Sequence, residues 1–139
     1  MLLLLWKHDE DEVAVTFQAG DDFIARVGRD GSLELLAEAD GEKVAGATHF
    51  LGSSFVAQTW DRRFREHSPV DTAGFLVATD GVADDLVPLD ANGPILCGEF
   101  PKVLAAEQPS QGLLDLLAYE KRGSFDDRTL ALAWRTWGL

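Results

Sequence analysis

The chain has 139 residues, of which 46% are hydrophobic, enough for one compact core and too few for two independent ones. Its 24 Asp and Glu against 12 Lys and Arg give a formal charge of -12, which repels nucleic-acid phosphates and anionic lipid and so argues against either as a partner. Cys97 is the only cysteine, which excludes an intrachain disulfide and a cysteine-rich zinc site and suits a reducing cytoplasm.

The opening Met1 to Trp6 is apolar but far short of the ~20 residues that span a bilayer. Lys7-His8-Asp9-Glu10 follows at once, where a signal peptide would carry a cleavage site, so the segment reads as a buried strand. Leu2 to Trp6 and Val13 to Ala19 are two antiparallel strands joined by an acidic turn, and Gly20-Asp21-Asp22 breaks the pattern. Phe23 to Val27 and Ser32 to Leu36 flank Arg29-Asp30-Gly31, a hairpin signal because glycine accepts the positive φ of the turn. The first third is thus expected to be a β-meander. After a loop at Asp40 to Ala47, Thr48 to Leu51 and Phe55 to Trp60 read as short extended pieces, and Ser68-Pro69 as a turn.

Gly74 to Thr79 is a clear buried strand, followed by a short helix over Val82 to Leu89 with Asp80 and Gly81 at its entrance and Pro88 ending it. Pro94 and Pro101 bracket an irregular stretch, with a helix resuming over Lys102 to Glu107. The best helix runs from Gln111 to Lys121, capped by Ser110, with Leu113, Leu114, Leu117 and Ala118 on its apolar face and Gly123 stopping it. Thr129 to Arg135 closes the chain as a strand. Strands, then a mixed region, then helix and strand predict a single α+β domain over residues 1–139 with antiparallel sheets.

Two acidic segments stand out. Phe75 to Leu86 contains Thr79-Asp80-Gly81, and Gly123 to Ala133 contains Asp126-Asp127; each sets a carboxylate at one end of an apolar strand, where an oxygen ligand can point out of a core. Taken singly, Asp80 also suits a cap for Ala83 or Asp84, Asp126-Asp127 a polar turn into an edge strand, and Asp84-Asp85 the acid-rich first turn of a helix. Arg62, Arg63 and Arg65 suit phosphate binding or, more commonly, a solvated face offset by Asp61 and Glu66. His49 and His67 have no partner at metal-ligand spacing and read as surface or loop histidines. Trp134 and Trp137 read as core or interface fillers.

In order and separation, Gly20-Asp21 with its following hairpin, Thr79-Asp80-Gly81 and Asp126-Asp127 resemble motifs of the metal-dependent protein serine/threonine phosphatases, the protein phosphatase type 2C family. Gly41 to Leu51 falls where bacterial members carry a loop near the substrate. The resemblance implies an antiparallel β-sandwich flanked by helices and hydrolysis of phosphoserine or phosphothreonine by a water activated between two divalent metals, Mn2+ or Mg2+, with no catalytic residue beyond the metal ligands. It implies that Asp80 and Asp126 bind the same metal, and that Asp84 holds water or a third, weakly bound ion. Asp127 stands where the family usually has asparagine, which leaves open whether it or Asp126 faces the ion.

The family takes its metal-bridging aspartate and its second metal's acidic ligand from two motifs N-terminal to this region, and no aspartate-glycine-x-glycine turn occurs here. The expectation is a domain incomplete at its N-terminus, the C-terminal half to two-thirds of the phosphatase domain: a fragment, a truncated reading frame or an inactive relative. Three functions fit: a cytoplasmic hydrolase acting on phosphoproteins, a catalytically inactive phosphatase-like binding or regulatory module, or an incomplete domain without independent function. Exposed sheet surface, Leu2 to Trp6 above all, would favour self-association.

Overall fold

The computed structural model describes residues 2–8, 11–20, 22–37, 54–119 and 126–135. In the first sheet, β1 (Leu2–His8) pairs antiparallel with β2 (Asp11–Phe17) along its whole length, and β5 (Phe64–His67) pairs with the other side of β2. The second sheet is formed by β3 (Phe23–Gly28), β4 (Leu33–Leu35), β6 (Thr72–Ala78) and β7 (Leu130–Trp134), again antiparallel, in the order β4-β3-β6-β7. Five helices complete the described chain: α1 (Ser54–Gln58), α2 (Trp60–Arg63), α3 (Asp80–Asp85), α4 (Leu89–Leu104) and α5 (Pro109–Leu117). This is the mixed α+β arrangement of antiparallel sheets and helices that the sequence predicts.

The first third is not one continuous meander. β2 and β3 lie in different sheets, and the chain passes between them at Gly20, whose φ of 98° is open to glycine and strained for other residues. Buried Gln18 braces this turn through its side-chain amide, which donates to the carbonyls of Gly20, at 3.1 Å, and Asp22. The hairpin from β3 to β4 forms as predicted, closed by Gly28 N–H donating to the Ser32 carbonyl at 2.9 Å. Phe55 to Trp60 is helical instead of extended, and Thr48 to Leu51 lies outside the described residues.

Central strand β6 carries the core. Leu76 and Ala78 join Phe23, Ala25 and Val27 of β3 and Val82, Leu86, Cys97 and Phe100 of the helices in one buried cluster. Ile24 has the opposite parity on β3 and is also fully buried, so both faces of this sheet are covered. A cleft of about 250 Å³, lined by Val13 of β2, Phe75 of β6 and Trp134 of β7 among others, lies where the two sheets meet. Arg135 and Glu12 form an ion pair across its rim.

The prolines of α4 do not break it. Pro94 and Pro101 are exposed, while Gly93, Cys97 and Phe100 form the buried stripe and Leu89, Leu96 and Leu104 pack against the core. An interior proline costs a helix ~3 kcal/mol. Full burial of Phe100, worth ~1.5–3 kcal/mol, and partial burial of Leu89, Leu96 and Leu104 work against that cost. Helix α5 starts earlier and ends sooner than predicted: Pro109 takes the first helical position, Gln108 precedes it as the cap, and Ser110 lies inside the helix. Its covered side is Leu113, Leu116 and Leu117, with Leu114 61% exposed, because the helix turns that side toward α4.

Phe100 is fully buried and meets Trp134 edge to face at 6.0 Å between ring centres, tying α4 to β7. Phe100→Ala is expected to lower unfolding stability by about 3–5 kcal/mol, measured by urea denaturation, because the surrounding strands cannot close the cavity.

Candidate metal centre

Strands β6 and β7 pair from Gly74 with Trp134 to Ala78 with Leu130, so the C-terminal end of one lies beside the N-terminal start of the other. Thr79 continues the pairing. Its N–H donates to the Thr129 carbonyl at 3.1 Å, and the Thr129 N–H donates to Thr79 Oγ1 at 3.0 Å. The same hydroxyl donates to the Asp127 carbonyl at 3.0 Å. One side chain thereby fastens the Asp80 turn to the Asp126-Asp127 segment, nearly fifty residues away in sequence.

Gly81 marks how close the two segments come. A Cβ built there would lie 2.7 Å from the Asp127 carbonyl oxygen and 3.2 Å from both Cβ and the carbonyl oxygen of Asp126, closer than an ordinary side chain tolerates. Glycine is therefore required for contact, not for turn geometry. Asp126 presents its Cβ and carbonyl to this point, whereas Asp127 presents its carbonyl. Asp80, at the first position of α3, accepts the Gly81 N–H through Oδ1 at 2.7 Å. The Ala83 N–H donates to the Thr79 carbonyl at 3.2 Å.

The donor chemistry fits a hard divalent cation in part. Asp80 and Asp126 are carboxylates on abutting segments, one half-exposed and one exposed, so solvent can complete a coordination shell of roughly six oxygens. Asp84 lies on the exposed side of α3. Among the described residues no three Asp, Glu, His or Cys side chains gather as a ready-made metal site. What the fold brings together here is the Asp80-Gly81 turn and the Asp126-Asp127 segment.

A second set of contacts lies behind them. Asp85, whose side chain is 3% exposed, accepts from Arg128 Nε at 2.8 Å and from the Tyr119 hydroxyl at 2.6 Å through the same Oδ2. Arg128 also donates to the Tyr119 carbonyl at 3.1 Å and lies 4.3 Å from the centre of its ring. Tyr119 and Arg128 carry no motif and were missed by sequence reasoning, which placed Asp85 in an acid-rich helix turn and Thr79 in the Thr79-Asp80-Gly81 motif without a role for its hydroxyl. The available signal was the position of Arg128, two residues beyond Asp126, as a cation in an acidic segment.

Other singled-out residues lie elsewhere. Arg63 is not on a solvated face: it is 8% exposed, with Nη1 donating to the Gln18 carbonyl and Nε to Thr59 Oγ1, both at 2.8 Å. Arg62 and Arg65 are exposed. His67 is a half-buried strand residue on β5, bonded to buried Thr16 at 2.9 Å, and burial holds its pKa below the usual imidazole value. Cys97 is buried, which pushes its thiol up to about 11 and keeps it protonated at neutral pH. Trp134 fills core space, while Gly41 to Leu51, Asp21 and Trp137 lie outside the described residues. No helix among the described residues is long and apolar enough to cross a membrane.

The sequence matches the family model described as Protein phosphatase 2C over residues 1–118, a span that includes Asp80 and Asp84 and stops short of Asp126. No curated protein and no solved structure matches it.

Two outcomes follow from this geometry. Gly81→Ala is expected to destabilise the chain by about 1–3 kcal/mol in chemical denaturation, since the new methyl group meets backbone that must shift. Tyr119 is the only tyrosine, and partial burial followed by the bond to Asp85 pushes its hydroxyl up to about 12. Absorbance at the tyrosinate band should therefore rise near pH 12 in the folded chain and near the ordinary value of ~10 in denaturant. Because the folded value is raised, the associated stability is fully present below pH ~10 and is lost as pH rises toward 12.

Proposed function

The chain belongs to the protein phosphatase 2C family, and from that membership we propose that it forms the C-terminal part of a metal-dependent protein serine/threonine phosphatase domain whose substrates are phosphoproteins. Residues 1–139 act as one unit in this reading. The observation that carries it is the abutment of the Asp80-Gly81 turn with Asp126, held by the Thr79 hydroxyl. That contact supports reading the Asp80 and Asp126 carboxylates as donors to one shared Mn2+ or Mg2+ ion.

When bound, a divalent cation pair supplies Lewis-acid stabilisation of the phosphoryl oxygens and lowers the pKa of water. The protein's part is to hold the donors. Asp80 and Asp126 each bring one negative charge and one orientation; Asp127 adds a charge at its edge while its carbonyl is occupied by Thr79. Asp84, exposed on α3, is placed to hold water near the same end. The strongly acidic surface disfavours nucleic acid and anionic membranes as partners, and a single buried cysteine accords with a cytoplasmic setting.

The two carboxylates cannot by themselves position both ions. The chain alone is accordingly expected to release negligible phosphate from p-nitrophenyl phosphate or phosphopeptides, with or without millimolar Mn2+. Joined to a segment carrying the family's two N-terminal acidic motifs, it should gain turnover that a chelator abolishes. Asp80→Asn or Asp126→Asn should then lower kcat by about 100-fold or more, equivalent to about 2.7 kcal/mol of barrier. Manganese-dependent turnover by the chain alone would overturn the two-donor argument. A joined protein that binds Mn2+ and phosphopeptide yet stays inactive would establish a binding module instead.

A further inference from the structure

We propose that Asp85, Arg128 and Tyr119 form a positioning clasp that holds the Asp126 carboxylate in register with Asp80 for a divalent cation. The inference rests on the reading of Asp80 and Asp126 as ligands of one ion and adds residues that touch neither the ion nor the substrate. Asp85 sits at the end of the short helix α3 that begins with Asp80, and Arg128 is two residues beyond Asp126. The ion pair therefore joins the same two segments as Thr79, at a second point. Gly81 lies between the two fastenings on its segment, and Asp126 directly precedes them on the other.

Charge argues in the same direction. An arginine two residues from a cation ligand would repel the incoming ion, yet the guanidinium here is directed at Asp85, which offsets its charge, and at the Tyr119 carbonyl and ring. Tyr119 donates its hydroxyl to the same Asp85 oxygen and so orients the carboxylate toward Arg128. As a device for stability alone the arrangement is weak, because desolvating an ion pair this buried cancels most of its attraction; registry is the better-attested use of such pairs. The clasp also reaches Tyr119, two residues past the end of α5, and so couples the metal-side turn to the helix layer over β6.

The test uses the 139-residue chain without and with Mn2+. Amide exchange is measured at Thr129, whose N–H donates to Thr79, and Mn2+ affinity is read from paramagnetic broadening of amides at residues 80–81 and 126–127. Asp85→Asn is expected to speed Thr129 exchange by about 10-fold or more while β3 and β6 amides keep their protection. It should also weaken Mn2+ binding about 10-fold, the scale of outer-shell partners of metal ligands. Tyr119→Phe should move both readouts the same way by less, and it decides the matter if Asp85→Asn does not fold. Arg128→Lys, which keeps the charge and loses the planar fork, should recover only part of the protection. Unchanged Thr129 exchange and Mn2+ affinity in the folded variants would overturn the clasp, as would exchange that rises uniformly over β3, β6 and Thr129. Asp80→Asn and Asp126→Asn run alongside: if they leave Mn2+ broadening unaltered, the ligand reading itself is refuted, and the clasp's cation role with it. If they abolish broadening and Asp85→Asn does not affect it, the ligand reading stands and the clasp alone is refuted.

Discussion

The antiparallel pairing of β6 with β7 is the constraint on which the candidate site depends. Ala78 pairs with Leu130, so the next residues outward are Thr79 and Thr129, and beyond them the chain must carry Asp80 on one side and Asp126 to Arg128 on the other. A shift of one residue in this register would turn every side chain of β7 to the opposite face. It would also take the Thr79 hydroxyl away from both of its backbone partners. The register is held from the core side by Gly74, over which the Trp134 ring lies so closely that a Cβ would be 2.6 Å from it. Packing at one end of the β6–β7 pairing thus fixes the register of the two acidic segments at the other.

The acidic end is assembled against electrostatic resistance. Three aspartates at 80, 126 and 127 and a fourth at 84 surround one sheet edge on a chain whose formal charge is already -12. Like charges gathered near a protein surface repel, the more so the closer they lie. The fold opposes this with backbone pairing and the Thr79 hydroxyl, and it neutralises Asp85 with Arg128. The buried guanidinium of Arg63 likewise ties the end of β2 to α2 through backbone and hydroxyl oxygens. In both places arginine supplies several fixed donors where lysine would supply a point charge.

Much of the strand layout was readable because alternation and turn chemistry are local. Asp30-Gly31 between apolar runs specified the β3–β4 hairpin, and the run from Phe75 to Ala78 specified β6. Helices were less legible. Pro94 and Pro101 signal irregular backbone, yet α4 runs through both because Leu96, Cys97 and Phe100 face the sheet, and that compensation exists only once the sheet is built. The passage of the chain between sheets at Gly20 escaped for a similar reason, since local pattern marks where a strand ends and says nothing of which sheet receives the next one.

By itself the sequence determined an α+β chain of antiparallel strands, the family to which it belongs, and the two acidic segments that bear on metal chemistry, because those features are written in composition, period and short motifs. Only the tertiary structure decided that the turn at Asp80-Gly81 abuts the Asp126-Asp127 segment and that Gly81 lets the two approach so closely. It alone showed that Thr79, Asp85, Tyr119 and Arg128 bond across these segments. Their roles come from pairings across thirty to fifty positions, and such distances are set by strand register and helix packing, which no local signal encodes.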